Sequence, residues 1–150
     1  MNRTMQSKRI LFFTLFVIFF TVDGLFANYA FKKKVKHVCK SYRISVESSQ
    51  LSLDDDDFSI TLQSNRNNFE MVMLVGFASA GQAIDHQKQG GFSNAYLPSS
   101  VNVSVEVPAS KGEISVFAAS CPADMATALA NGSMDSSQFM QEIMKNLEIM

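Results

Sequence analysis

The chain has 150 residues, 47% of them hydrophobic, with 13 basic and 14 acidic side chains and a formal net charge of −1. This balance excludes a protein that binds nucleic acid through a strongly basic surface, because such proteins carry clustered positive charge. The length beyond an apolar N-terminal segment suits one small domain with a single core.

The N-terminus is the most apolar part of the sequence. An apolar run over residues 10–20, with Thr14 as its one polar residue, follows three basic residues and contains five phenylalanines. Apolar residues continue to residue 31, interrupted mainly by Asp23 and Asn28. A transmembrane helix needs about 20 mostly apolar residues, and one acid within it costs at most about 3 kcal/mol. We therefore predict that residues 10–31 contact the membrane.

This segment is either a cleaved signal peptide or a retained anchor, since both begin with basic residues and an apolar core. Cleavage after Ala27 or Ala30 is disfavoured, because Leu25 and Asn28 stand where signal peptides carry a small residue. Cleavage after Gly24 is only slightly better. We therefore predict a signal-anchor over residues 1–31, with cleavage and release to the periplasm or outside the cell as the alternative.

Lysines begin immediately after the apolar segment, and residues 32–40 are interpreted as a basic juxtamembrane linker. Basic residues flank the segment on both sides, and the larger number on the C-terminal side favours a cytoplasmic domain. An apolar segment after a short basic start usually directs export instead, and the composition of residues 41–150 agrees. We predict a single-pass protein of the inner or plasma membrane with residues 41–150 exported.

Alternating polar and apolar residues predict strands over residues 41–47, 58–63, 101–107 and 113–119. Residues 69–77 are apolar on both faces, which favours a buried central strand, with a buried helix as the alternative. Residues 78–89 are ambiguous, because Gly81 lowers helix stability by about 1 kcal/mol relative to alanine.

The last thirty residues are predicted to be helical. Pro122 suits the start of one helix, Gly132 its left-handed end, and Asp135 the N-cap of a second helix with Gln138 as capping-box partner. The predicted fold class is α+β. An N-terminal transmembrane or signal helix precedes a small antiparallel sheet of about five strands, with the C-terminal helices packed on one face.

Two cysteines, Cys39 and Cys121, are predicted to form a disulfide if the domain is exported. Cys121 also stands at a predicted helix N-terminus, where a thiolate is stabilised, so a reactive thiol is the alternative. The two cysteines with His37 and His86 match no known zinc spacing. Four consecutive aspartates over residues 54–57 lack the spacing of a calcium loop. We predict no metal, no cofactor and no catalytic residue.

The final helix carries an apolar stripe at helical spacing, which predicts a face for a protein partner. Its alternative is packing against the domain's own sheet. The stripe consists of Phe139, Met140, Ile143, Met144 and Leu147.

The sequence therefore predicts a membrane-anchored, envelope-facing interaction or assembly module, whose partner would be another membrane or envelope protein. The alternatives are an exported thiol-dependent enzyme or redox protein that uses Cys121, and a secreted or periplasmic domain that binds a small ligand after signal cleavage.

Overall fold

The computed structural model describes residues 24–150, so residues 1–23 of the predicted signal-anchor lie outside the described part of the chain. The described part begins in a helix over residues 24–41, α1. Three further helices follow, α2 (Phe69–Gln89), α3 (Ala123–Ala130) and α4 (Ser136–Met144). The strands are β1 (Leu51–Leu53), β2 (Asp57–Gln63), β3 (Ser100–Pro108), β4 (Ile114–Pro122) and β5 (Glu148–Ile149).

The five strands form one sheet in the order β1-β2-β3-β4-β5. The predicted α+β class and number of strands are confirmed, but the sheet is mixed rather than antiparallel. β2 and β3 run parallel, with Phe58 beside Val101 and Gln63 beside Glu106, whereas the other neighbours are antiparallel. Parallel neighbours need a long crossover, and α2 supplies it.

The apolar face of the sheet is covered by helices. Alternate residues of β3, from Val101 to Val107, are buried, and the residues between them are only partly covered. α2 lies directly on this face, so close that a β-carbon added to Gly76 would stand 2.8 Å from Val103 Cγ1. Phe77 of α2 contacts Phe139 of α4 edge to face, with ring centroids 5.2 Å apart.

The predicted strand over residues 69–77 is wrong, and the alternative buried helix forms instead. The run is apolar all round because α2 packs on the sheet with one side and on neighbouring helices with others. A β-carbon on Gly81 would lie 2.1 Å from the carbonyl oxygen of Ala126, so the backbones of α2 and α3 nearly touch there. The ambiguous residues 78–89 continue the same helix.

The predicted strand over residues 41–47 is also wrong, because the end of α1 occupies its first residues. The amide of Ile44 donates to the carbonyl of Cys39 and that of Arg43 to Lys40, which is the hydrogen-bond pattern of a Schellman motif. Arg43 takes the left-handed conformation (φ 62°) that glycine usually supplies at this position.

The other predicted strands and the two C-terminal helices are confirmed, but the last thirty residues are not all helical, because residues 148–149 form β5; neither β1 nor β5 was predicted as a strand. Strands occupy residues 58–63, 101–107 and 114–119, and Gly132 is left-handed (φ 79°) just after α3. The Asp135 carboxylate caps α4 by accepting hydrogen bonds from the amides of Ser137 and Gln138. Among residues 24–150, no helix combines the length and hydropathy needed to cross a bilayer.

Candidate functional site

The start of α1 is tied to the end of α2 by a buried glutamine. Gln87 is 1% exposed; its side-chain amide donates to the Ala27 carbonyl (2.8 Å) and its side-chain oxygen accepts from the Tyr96 amide (2.9 Å). The Phe31 ring lies edge to face against Phe58 and Tyr96, with centroids 5.0 and 4.9 Å away. The end of the predicted anchor and all of the predicted linker therefore lie in a helix that shares the domain's core.

These contacts define a proximal end of the domain, the end at which the described chain enters it. The Tyr96 hydroxyl lies 2.7 Å from the carbonyl oxygen of Asp54 and 3.0 Å from that of Asp57, at the start of β2. The start of β2, the end of α2 and the first turns of α1 therefore meet at one place.

A surface groove opens at this end between α1 and the end of α2, and we call it the proximal groove. Its volume is about 430 Å³. It is lined by Phe26, Tyr29, Ala30, Lys33, Lys34, His37, His86 and Phe92. Three aromatic rings, two lysines and two histidines thus share one depression, which suits a ligand with an apolar part and negative charge.

One wall of the groove is formed by the turn after α2. Phe92 folds back over Gly90, where an added β-carbon would lie 2.4 Å from the ring, and Gly91 is left-handed (φ 64°). The ring also faces His86, with centroids 6.0 Å apart. The turn over Gly90 and Gly91 therefore places the Phe92 side chain in the groove.

The lysines of the groove form no salt bridge among the residues that the structure describes. Within residues 24–150 the salt bridges join Lys88 to Asp124 and Lys145 to Glu142, and neither Lys33 nor Lys34 takes part in one. Asp85 lines an adjoining depression with Lys34 and His86 rather than the groove itself. The electrostatic balance of the groove is consequently positive.

The opposite end of the sheet exposes apolar side chains, and we call it the distal end. β2 ends there, β4 begins beside the end of β3, and Phe69 at the start of α2 stacks on Phe117 with centroids 4.3 Å apart. A depression of about 440 Å³ lies there between Gln63, Glu106 and Ile114. The exposed apolar side chains are Met71 (46%), Ile114 (61%), Ile149 (66%) and Met150 (70%).

The apolar stripe predicted as a partner face packs largely on the domain itself. Phe139 and Ile143 are fully buried, while Met140 and Leu147 are partly buried against the same core. Met144 alone of the five is exposed, at 40%. The alternative stated for this helix therefore accounts for most of the stripe.

Cys39 and Cys121 are both buried and present as free thiols. Burial raises the pKa of the Cys121 thiol to about 12, with a smaller opposing effect from a hydrogen bond to the Ala126 backbone. Burial also raises the pKa of Cys39, opposed by a hydrogen bond with Ser79. Both thiols are neutral at physiological pH, which makes them poor nucleophiles. The disulfide between them stays a prediction.

The histidines and cysteines weighed as a zinc set lie in different surroundings. His37 and His86 line the proximal groove, whereas the two cysteines belong to the core. Within residues 24–150, no group of three or more potential metal ligands is assembled, and this includes residues 54–57.

From the sequence, the lysines of the groove were interpreted only as part of a basic juxtamembrane linker, and the wall that α2 contributes was missed. No pattern in the chain links His86 and Phe92 to residues 26–37, because the fold alone brings them together. No protein-family model matches this chain, and searches of curated proteins and of solved structures return no match either.

Proposed function

We propose that this protein is a membrane-anchored interaction module that holds a small α+β domain at the surface of the inner or plasma membrane, on the exported side. The observation that carries the proposal is the outer face of α1. A helix on a water-soluble domain exposes polar residues opposite its buried face. α1 instead begins with an exposed apolar group and changes to lysines further along. The group consists of Leu25 (70%), Phe26 (63%) and Tyr29 (65%).

This order of side chains is typical of a helix that leaves a bilayer. Tyrosine is favoured at the membrane interface, and lysines extend their charged ends into the headgroup layer. The exposed apolar group begins only five residues after the apolar run over residues 10–20. The two features together support an anchor rather than an isolated apolar patch.

The packing of α1 also bears on signal cleavage. Cleavage after Ala27 or Ala30 would remove the Ala27 carbonyl that Gln87 binds, together with the fully buried Ala27 side chain. Cleavage after Gly24 would leave these contacts intact. The structure thus favours either a retained anchor or processing at Gly24, and we propose the retained anchor.

A protein partner would meet the distal end. The anchor sequence joins the domain at the proximal end, so the distal end is directed away from the bilayer. Ile114 and Ile149 expose more than half of their surface there. Anchoring raises the effective concentration of such a surface for a second membrane protein.

The two alternatives have less support. An enzyme centred on Cys121 needs an accessible thiolate, whereas this thiol is buried and its pKa is raised to about 12. A ligand pocket beneath residues 69–77 needs free space, whereas Gly76 packs directly on Val103 and Leu62.

A processing and extraction experiment tests the anchor. Full-length protein is expressed, membranes are washed with alkaline carbonate, and the mass of the chain is measured. We expect an unprocessed chain that stays in the pellet and is digested by protease added from the exported side. A soluble chain that begins after Gly24 would contradict the anchor, and a protected domain would contradict the orientation.

Site-specific photocrosslinking tests the partner surface. A photoreactive residue at Ile114 should give a discrete adduct in intact membranes. The same residue at Ser52, which is exposed on β1 away from the distal end, is the control. Equal labelling at Ile114 and Ser52 would contradict a partner surface at the distal end. So would the absence of an adduct both at Ile114 and at Met71, a second exposed position at that end.

A further inference from the structure

The proximal groove has a composition that the interaction module does not explain. Two of its aromatic residues, Phe26 and Tyr29, lie toward the start of α1 within the last residues of the predicted anchor, and its lysines follow one turn later. An amphiphile with an acyl part and an anionic head has this same order of apolar and charged parts.

We propose that the proximal groove binds the headgroup of an anionic phospholipid. This inference rests on the proposed membrane anchoring, which would place the groove at the depth of the headgroups. Lys33 and Lys34 contact the phosphate, and the imidazoles of His37 and His86 donate further hydrogen bonds. Phe26, Tyr29 and Phe92 pack against the glycerol and the first part of the acyl chains.

Charge complementarity selects an anionic lipid over a zwitterionic one. Neither lysine forms a salt bridge within the described residues, so their charge is available to a ligand. The carboxylate of Asp85 lies in the adjoining depression and opposes part of this charge. A zwitterionic headgroup brings its own cation close to the lysines, and the repulsion between these positive charges weakens binding.

The groove differs from a basic collar, by which we mean lysines that surround α1 without forming a site, because one of its walls is formed by the end of α2 and the turn that follows it. Lys32 and Lys40 are on α1 but do not line the groove, whereas Phe92 lines it from the turn after α2. A collar would attract lipid through all lysines of α1 alike. If the lipid binds in the groove, its affinity depends on Lys33, Lys34 and Phe92 and changes little when Lys32 and Lys40 are replaced.

The test uses purified full-length protein in a non-ionic detergent, titrated with phosphatidylglycerol or phosphatidylcholine and followed by native mass spectrometry. We expect one phosphatidylglycerol to bind tightly and phosphatidylcholine weakly. Loss of one lysine near a lipid phosphate lowers affinity about fivefold, so Lys33→Gln with Lys34→Gln should lower it about 25-fold. Lys32→Gln with Lys40→Gln removes the same charge and should change it less than about threefold.

Phe92→Ala provides an independent variant that changes no charge, and it should also weaken phosphatidylglycerol binding. Circular dichroism of each variant confirms that the domain remains folded. If both lysine pairs changed the phosphatidylglycerol affinity equally, the groove would be refuted as the binding site and a basic collar would be favoured. Full competition by millimolar inorganic phosphate would overturn the lipid as the ligand.

Failure of this proposal can be distinguished from failure of the anchor. A chain that resists carbonate extraction but shows no preference for phosphatidylglycerol is anchored without a lipid site, which refutes the inference alone. A soluble chain processed after Gly24 refutes the anchor, and the proposed depth of the groove fails with it.

Discussion

Replacement of Gly81 by alanine is the most direct test of the packing between α2 and α3. An added β-carbon would lie 2.1 Å from the oxygen and 2.6 Å from the carbonyl carbon of Ala126, and 2.8 Å from the β-carbon of Ala130. Two of these three atoms belong to the backbone, so no side-chain rotation relieves the clash and α3 must move.

Two effects of opposite sign determine how much Gly81→Ala changes the free energy of unfolding. Alanine is favoured over glycine within a helix by about 1 kcal/mol. Overpacking of a well-packed core costs up to about 3 kcal/mol, and a backbone clash belongs at the upper end of that range. We expect Gly81→Ala to lower the free energy of unfolding by about 2 kcal/mol, which corresponds to a Tm lower by about 8 °C for a domain of this size.

The assay is urea unfolding of the full-length protein in non-ionic detergent, followed by circular dichroism because the chain has no tryptophan. Gly24→Ala is the matched control. Gly24 is also helical, but no atom of residues 24–150 lies within 4 Å of its added β-carbon, so the control should be neutral or slightly stabilising. A Gly81→Ala protein as stable as the unmodified chain would refute the close approach of α2 and α3.

Two further predictions concern buried polar groups. Gln87→Glu removes the amide donor to α1 and buries a carboxylate, so it should cost about 2 kcal/mol of unfolding free energy, whereas Gln89→Glu on the exposed surface should be neutral; similar urea midpoints for both variants would show that Gln87 does not hold α1. The pKa values of Cys121, Cys39 and Tyr96 are raised by burial, so the folded state disfavours their deprotonation. The contribution of these three groups to stability should therefore be fully present below about pH 8.5 and be lost as the pH rises toward 12. Urea midpoints measured across this range check the slope, which Cys121→Ala should reduce, and a flat profile would contradict the burial of these groups.

Local sequence signals predicted the elements that depend on local chemistry. Alternation identified β2, β3 and β4, and Asp135 marked the start of α4, because strand faces and helix caps are set by neighbouring residues. The end of α1 was missed because Arg43 adopts a conformation that sequence rules assign to glycine. No local sequence pattern indicates that an arginine takes the left-handed conformation at this position.

The identity of α2 was ambiguous because a completely buried helix and a buried strand have the same apolar composition. Gly81 was interpreted as a weakness of a helix, whereas it permits the approach of α3. The candidate site was the least predictable feature. Phe92 and Lys33 belong to distant parts of the chain, and only tertiary packing places them in one groove.

The parallel pairing of β2 with β3 has a consequence for how the chain folds. β1 with β2, and β3 with β4, are antiparallel neighbours joined by short connections, so each pair can form early from local contacts. The residues that pair between β2 and β3 are 43 positions apart, as Ser59 and Asn102 show. The two halves of the sheet can join only after α2 has crossed between them, which makes this step the slow one. Until then the apolar faces of both halves are open, and this is when the chain is most exposed to aggregation.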